Sequence, residues 1–404
     1  MNKPHYILAG SLIDGSGGPI RKRVLLEIGG GTIAGIQNCD SWPAPPPEQV
    51  TDLSHCCILP RFVDSHVHLC LSGSVDPSAR KRQLAAPYRN IRSVISRHLH
   101  DHFTHGVAAV RDGGDSNGYT RQYRDDPDQA PVPVLLKTAG KAWHRKGRYG
   151  GLLGRSPADN ETLPAAYSLD HDVIDHVKLI QSGINSLLHF ARETAPQFTS
   201  EEIRGVVELA VRKGRKVMVH ANGRSPVRSA LEAGCHSIEH GWFMGRDNLE
   251  RMAEKRIFWV PTAFAMKACL DHMVQHGNSC DPAVVEKNLH HQLEHIAFAR
   301  KCGVTVALGT DSGCFGVFHG KAVVEELKLL IKGGYSLPEA VRCATFNGAR
   351  LLGVEKETGL IAAGRSADFI VVRGTPARLP GNLSRPEAIY MKGNACRKDS
   401  FLKI

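Results

Sequence analysis

From about residue 58 onward, short apolar runs alternate with longer amphipathic stretches. The short runs have the composition of buried strands, and the stretches between them are typical of surface helices. One such stretch, 199–214, begins with the capping-box spacing of Thr199 and Glu202 and ends at Gly214. The candidate strands are ILPRFVDSH, VAAVRD, VPVLLKT, HVKLI, KVMVH, HSIEH, IFWVP and VTVALGTD. Eight successive strand-and-helix units predict an α/β fold of the (β/α)8 TIM-barrel type.

The two ends of the chain have a different pattern. HYILAGSLIDG and RVLLEIGGGTIAGI near the start, and GLIAAGRSADFIVVRG and AIYMKG near the end, are short strand-like runs broken by glycine turns. We expect the two ends to pair with each other. The predicted organisation is a small β-sandwich accessory domain from residues 1–57 plus 358–404, and a barrel domain from residues 58–357.

Composition agrees with a globular protein, since 42% of the 404 residues are hydrophobic and 23% are charged. No apolar run has the length of a signal peptide or a membrane span, so we expect a cytoplasmic protein without a membrane partner. The 11 cysteines are odd in number and scattered, which favours reduced thiols over a disulfide framework.

Basic residues outnumber acidic ones, 51 to 40, for a net charge of +11. No aromatic-studded recognition motif accompanies this charge, so the sequence does not favour a nucleic-acid partner. One basic cluster is exceptional, because the glycine-rich segment 141–155, KAWHRKGRYGGLLGR, carries five basic residues and no acidic one.

The ends of the predicted strands carry residues that can bind metal. In FVDSHVHLC, His66 and His68 lie one residue apart, so an extended chain directs both imidazoles to the same face. H-x-H alone is a weak pattern. The other strand-end residues are Lys178, His220, His240 and Asp311. A barrel brings the carboxyl ends of its strands together, so the sequence predicts a metal site at that end.

The order H-x-H, Lys, His, His, Asp resembles the amidohydrolase superfamily, and more closely its imidazolonepropionase-like and prolidase-like members, which include Xaa-Arg and Xaa-Pro dipeptidases and N-acyl amino acid hydrolases. The resemblance extends over essentially the whole chain through VKLIQSG, IEHG, GTDSG, the 318–353 region and GLIAAGRSADFIVV. Arg61 departs from the pattern, because the family usually has glycine there; we expect no consequence for the metal ligands.

The resemblance implies two divalent ions, with zinc expected and manganese, iron or cobalt left open. It implies that Lys178 is carboxylated by CO2 and bridges both ions, and that a metal-bridging hydroxide attacks the substrate. Asp311 would be a ligand and the general base. The implied ligand sets are His66, His68 and Asp311 for one ion, and His220 and His240 for the other. Loop residues expected to contact substrate are His144, Tyr149 and His319.

These features predict a binuclear hydrolase that cleaves the amide bond of a dipeptide or N-acyl amino acid. We expect a small-molecule substrate with a free carboxylate, bound by Arg148 as first choice or by Arg145. A cyclic-amide hydrolase or a heterocycle deaminase on the same barrel is the alternative, and a non-catalytic barrel scaffold is a remote one. The sequence leaves a homo-oligomer open.

Two further motifs are interpreted as unrelated to the chemistry. HHQLEH has the H-x-x-E-H spacing of some zinc peptidases at His291, Glu294 and His295, but it lies in a predicted outer helix. GDSNG around Ser116 matches the nucleophile elbow of serine hydrolases, although no clear helix follows it.

Overall fold

The computed structural model describes residues 5–39, 45–129, 131–276 and 280–396. The strands are β1 His5–Leu12, β2 Arg21–Gly29, β3 Thr32–Asn38, β4 Val50–Pro60, β5 Phe62–Val67, β6 Val107–Asp112, β7 Leu135–Thr138, β8 Ala142–Trp143, β9 Gly154–Arg155, β10 His176–Ile180, β11 Lys216–Ala221, β12 Ser237–His240, β13 Phe258–Val260, β14 Phe369–Arg373, β15 Ala388–Met391 and β16 Asn394–Cys396. The helices are α1 Pro77–Leu84, α2 Tyr88–Thr104, α3 Tyr119–Asp125, α4 Leu163–Ser168, α5 Ser200–Arg212, α6 Arg224–Glu232, α7 Arg246–Lys255, α8 Ala263–His276, α9 Pro282–Cys302, α10 Ala322–Lys332, α11 Leu337–Arg342 and α12 Gly348–Leu352.

The central part of the chain forms two parallel sheets. Their strand orders are β5-β6-β7 and β13-β12-β11-β10-β8-β9. The third predicted strand, VPVLLKT, supplies β7, which pairs with β6, and the short β8 that follows it pairs with β10 in the other sheet. Seven of the eight predicted strands are therefore present as parallel strands.

The eighth predicted strand is not a regular strand, although it joins the two sheets. Residues 304–312 pair with β13 through the bridge between Trp259 and Val306, and with β5 through the bridge between Val67 and Ser312. The segment approaches β5 very closely at Gly309, where an added Cβ would lie 2.8 Å from the Cβ of His66. This close approach explains a glycine in an otherwise strand-like run.

Helix α5, between β10 and β11, shows how a sequence signal positions a helix against the core. In α5, Thr199 and Glu202 form the predicted capping box, with the Thr199 hydroxyl accepting from the Glu202 N–H at 3.2 Å. The same helix buries Ile203, Val206 and Ala210 against the main core. The apolar stripe of this amphipathic helix therefore faces the core.

Both ends of the chain contribute to one mixed seven-stranded sheet, with the order β16-β15-β14-β4-β1-β2-β3. The predicted pairing of the two ends is present, because β4 lies between β1 and β14. The predicted two-sheet sandwich is not shown, since these strands form a single sheet in the described residues. The predicted boundary between residues 57 and 58 falls inside β4, and the domain division stays a prediction.

The junction between β4 and β5 is held by Arg61. This buried side chain donates from Nη2 to the carbonyls of Val107, at 2.7 Å, and Pro133, at 2.9 Å. Burial lowers the pKa of Arg61 to about 10. The contacts tie the start of β5 to its neighbours, in line with the expectation of a local effect.

All 11 cysteines are free thiols, as expected. Within the described ranges, no helix combines the length and the apolar character that a membrane crossing requires.

Candidate metal centre

Six side chains, from or next to four strands and from the 304–312 segment, line a single cavity of about 630 Å³. They are the predicted ligands His66, His68, Lys178, His220, His240 and Asp311. All six residues are buried. The structure thus brings together every strand-end residue that the sequence indicated, although their roles as ligands stay predictions.

Three of these residues form a tight group. One potential ligand atom from each of His66, His68 and Asp311 lies within 4.8 Å of the others. Asp311 Oδ1 is 3.6 Å from His66 Nε2 and 3.5 Å from His68 Nε2. Lys178 Nζ is 3.5 Å from His66 Nε2. These distances suit side chains that face a common ion.

The other two histidines lie beside this group. The ring centroids of His240 and His66 are 4.9 Å apart, and those of His240 and His220 are 4.5 Å apart. His240 is therefore a neighbour of both His66 and His220.

The backbone at two of the strand ends is strained. His240 and Asp311 have positive φ angles of 65° and 60°. Surrounding hydrogen bonds hold them there, because Gln292 Nε2 donates to the His240 carbonyl at 2.7 Å and Asp311 N–H donates to the His66 carbonyl at 2.8 Å. Such strain is characteristic of functional sites, where it directs a side chain out of the regular strand.

Hydrogen bonds at Nδ1 orient three of the imidazoles. His66 Nδ1 donates to Glu239 at 2.8 Å and His68 Nδ1 donates to the Gly114 carbonyl at 3.2 Å. His240 Nδ1 is 2.7 Å from the Thr262 hydroxyl. Occupied Nδ1 atoms leave Nε2 available to a metal, which is the usual outer support of metal-binding histidines.

Burial sets the protonation states of the cavity. Burial, followed by the positive charge of Lys178, lowers the pKa of His68 and of His220 to about 3. Burial also lowers the pKa of Lys178 to about 8 and raises the pKa of Asp311 to about 6. The imidazoles are therefore neutral at pH 7, with lone pairs available for a cation.

The donor set fits a divalent metal. Neutral imidazoles and a carboxylate are the ligands that zinc prefers, and a lysine of depressed pKa loses its proton readily. A protonated ammonium has no lone pair, so Lys178 suits a metal site only in a deprotonated or carboxylated form.

The sequence did not single out Glu239, which supports the ligand candidate His66 from outside the cavity. Glu239 is fully buried and accepts from His66 Nδ1, from Arg111 Nη2 at 2.8 Å and from the Ser237 hydroxyl at 2.5 Å. Its position inside the IEHG motif, immediately before a ligand candidate, was the available signal.

Two of the predicted substrate residues line the cavity and two do not. Arg148 and Tyr149 line it, and the Tyr149 ring centroid is 5.3 Å from that of His220. His144 is absent from the lining, and its Nδ1 donates to the Arg145 carbonyl at 3.0 Å. His319 is also absent from the lining, and its Nε2 donates to the Leu71 carbonyl at 2.8 Å.

Most of the basic cluster is engaged elsewhere. Arg145 makes two hydrogen bonds to the Glu202 carboxylate, at 3.0 and 3.1 Å. Lys146 pairs with Asp159 at 2.7 Å, and Arg155 pairs with Asp170. Arg145, the second choice for binding the substrate carboxylate, does not line the cavity.

The HHQLEH motif lies in a helix, as the sequence indicated, whereas the helix α3 does follow GDSNG, contrary to the expectation that no clear helix follows it. His291, Glu294 and His295 belong to α9, between β13 and the 304–312 segment, and none of them lines the cavity. Ser116 precedes α3, whose first turn is held by the Asp115 carboxylate through the Tyr119 and Thr120 N–H groups.

Comparison with known proteins agrees with this site. The ochratoxinase of Aspergillus niger is 30% identical over 199 residues, which is 48% of this chain and 40% of that protein; the match thus spans about two fifths of the relative. An imidazolonepropionase of Cupriavidus pinatubonensis is 29% identical over 202 residues, covering 48% of this chain and 43% of that one.

A solved structure shares almost the entire fold. The crystal structure of a Xaa-Pro dipeptidase with methionine bound in its active site has a TM-score of 0.79 and 26% identity, and covers 98% of this chain and 100% of that chain. The model of the amidohydrolase family matches residues 57–399, which include all six cavity residues named above. The resemblance inferred from the motifs is confirmed, and the chain belongs to the amidohydrolase family.

Proposed function

We propose that this chain is a binuclear metal-dependent hydrolase that cleaves the amide bond of a dipeptide or an N-acyl amino acid. The observation that carries the proposal is the convergence of six potential ligands in a cavity of about 630 Å³. We further propose that the two parallel sheets and the 304–312 segment form one (β/α)8 barrel, with this cavity at the carboxyl ends of its strands.

The ligands divide between two ions by proximity. His66, His68 and Asp311 would hold one ion, and His220 and His240 the other. Lys178 would bridge them as a carbamate, formed when its neutral amine adds CO2 and releases one proton. Zinc is the expected metal, and when bound it would lower the pKa of a water molecule and polarise the substrate carbonyl.

Asp311 is suited to carry the proton. Burial raises the pKa of its carboxyl to about 6, so the group is mostly ionised at pH 7 yet accepts a proton more readily than an exposed aspartate. In the proposed reaction an Asp311 oxygen accepts the proton of the attacking water and delivers it to the departing amide nitrogen.

The remaining cavity wall selects an apolar substrate. Leu187, Trp242, Met266 and Phe315 line it, and it offers room well beyond a single small amino acid. Such walls bind a bulky apolar acyl group or side chain and keep bulk water away from the scissile bond. Arg148, which the sequence favoured as the partner of the substrate carboxylate, lies at the exposed rim of this cavity.

The relatives support this substrate class by their names, which include an ochratoxinase and a Xaa-Pro dipeptidase. The free thiols suit a reducing compartment, and we expect the protein to act in the cytoplasm. An imidazolonepropionase also matches, which keeps a cyclic-amide substrate as the second candidate.

A substrate screen tests the proposal. The zinc-loaded protein is incubated with dipeptides, N-acyl amino acids, the C-terminal amides of both, and cyclic amides, and released amine is measured. We expect turnover of the apolar N-acyl amino acids or dipeptides, and a large loss for their C-terminal amides. Turnover of cyclic amides alone would contradict the proposed substrate class and favour a cyclic-amide hydrolase. A protein that is fully loaded with zinc and turns over none of these compounds would favour a non-catalytic scaffold.

A further inference from the structure

We propose that Arg80 binds the substrate carboxylate and thereby determines the preference for N-acyl amino acids over their C-terminal amides. The proposal deepens the function proposed above and rests on it. Arg80 belongs to α1, in the connection between β5 and β6, outside the basic cluster that the sequence singled out. Its side chain lines the cavity that holds the metal-ligand candidates.

Charge pairing around the cavity distinguishes Arg80 from most basic residues. In the part of the chain that the structure describes, Arg145, Lys146 and Arg155 have carboxylate partners, as shown above. Arg80 and Arg148, the arginines of the cavity wall, make no ion pair among the described residues. A cation left unpaired in a largely apolar cavity favours an anionic ligand.

Arg80 is held in place without using its whole guanidinium. Its Nη1 donates to the carbonyls of Ser74, at 3.3 Å, and Gly313, at 3.2 Å. Within the described ranges, the guanidinium of Arg80 makes only these two hydrogen bonds, and both use Nη1. Its Nε and Nη2 atoms are therefore available to donate to a ligand. Those two atoms lie on one edge of the guanidinium, which is the geometry that binds a carboxylate through two parallel hydrogen bonds.

The hydrogen bond from Arg80 to the Gly313 carbonyl ties Arg80 to the segment that carries Asp311. Gly313 lies two residues after Asp311, the proposed donor of a proton to the departing nitrogen. In an N-acyl amino acid the carboxylate carbon is only two bonds from that nitrogen, so the group that binds it must lie close to Asp311. Arg80 is tied to this segment and also lines the cavity beside Cys314 and Phe315.

Arg148 is less suited to the same contact. It is exposed, and its Nη2 donates to the Ala195 carbonyl at 2.8 Å. Its neighbour Tyr149 lies against His220, which belongs to the other proposed ion. We therefore assign the carboxylate to Arg80 and leave Arg148 a peripheral position.

Matched variants test the assignment in the zinc-loaded protein. Arg80→Met removes the charge and keeps the length, Arg80→Lys restores a charge without the planar fork, and Arg148→Met examines the competing residue. Arg82→Met is the control, because Arg82 lies on the same helix, is exposed and is absent from the cavity lining. Urea unfolding of each variant verifies the fold.

The substrates are N-benzoyl-L-phenylalanine and its C-terminal amide. We expect Arg80→Met to lower kcat/KM for the acid about ten- to a hundredfold, mainly through KM, and to change it far less for the amide. Inhibition by the product L-phenylalanine should weaken by a similar factor. Arg80→Lys should recover part of the loss, and Arg82→Met should match the wild type.

Calorimetry supplies a readout that does not need turnover. N-benzoyl-L-phenylalanine should bind the zinc-loaded wild type and bind Arg80→Met about ten- to a hundredfold more weakly. Binding without cleavage would refute the proposed hydrolysis and leave the Arg80 assignment standing. An unchanged acid-to-amide preference in Arg80→Met, a loss confined to Arg148→Met, or no binding to the wild type would each overturn the assignment.

Discussion

Replacing Glu239 by glutamine should weaken metal binding without touching a ligand. One carboxylate oxygen of Glu239 accepts from His66 Nδ1, and the other accepts from Arg111 and Ser237. A glutamine has a single acceptor oxygen, so one side of this arrangement must face an NH2 group. If the NH2 faces His66, the imidazole must move its proton to Nε2, the atom that faces the cavity.

The magnitude follows from the two consequences of the change. Removing an outer partner of a metal-binding histidine typically costs about 10- to 100-fold in metal affinity. Arg111 is 3% exposed, and leaving its charge without a carboxylate costs about 3–5 kcal/mol in unfolding free energy. The Arg111 bonds to the Ser65 carbonyl, at 2.7 Å, and to Ser237, at 3.0 Å, remain, so the lower end of that range is expected.

Two measurements check this expectation. Competition with a chromophoric chelator gives the zinc affinity, and urea unfolding of the metal-free protein gives the stability. Ser237→Ala is the matched control, because it removes a donor to Glu239 but keeps the negative charge; it should cost about 1–2 kcal/mol and leave the zinc affinity near that of the wild type. Wild-type zinc affinity in Glu239→Gln would refute the claim that Glu239 fixes the His66 tautomer.

Four other changes have clear expected outcomes. Lys178→Met should reduce the metal content from two ions per chain to one or fewer and abolish most activity; two retained ions by elemental analysis would contradict the bridging role. Asp311→Asn should remain folded by circular dichroism and lose turnover, since an amide does not accept the proton; near wild-type kcat at saturating zinc would exclude it as the general base. Zinc loading should increase as pH rises from 6 to 9, because Lys178, with a pKa of about 8, must lose its proton first; equal loading at both pH values would contradict this. Removing the metals with a chelator should abolish turnover, and added zinc should restore it, as a simple rate assay will show.

The six ligand candidates were predictable because strand ends are fixed by local pattern. An apolar run that stops at His220 indicates both a strand and the point at which its side chains leave the sheet. The run that stops at Asp311 located this residue as well, although its segment is not a regular strand. The close approach at Gly309 depends on a neighbouring strand far away in sequence, so the irregular path of the eighth segment was not predictable from its apolar run.

The substrate contacts were less predictable, because loop side chains follow tertiary contacts. His144 and Arg145 looked as suitable as Tyr149 in the sequence, yet the backbone carbonyls and Glu202 engage them away from the cavity. Arg80 carried no local signal, since its importance lies in contacts with Ser74 and Gly313. The terminal sheet likewise could not be separated from a sandwich by strand pattern alone.

The position of the 304–312 segment beside β5 also has a consequence for biosynthesis. His66 and His68 leave the ribosome long before Asp311, and at typical synthesis rates the delay is roughly 10–50 s. During that time β5 lacks the neighbour that closes it, and β4 lacks its partner β14 for longer still. Metal insertion therefore belongs to the end of folding, and an incomplete nascent chain has two histidines exposed to the cell's metal pool without the carboxylate that completes their group.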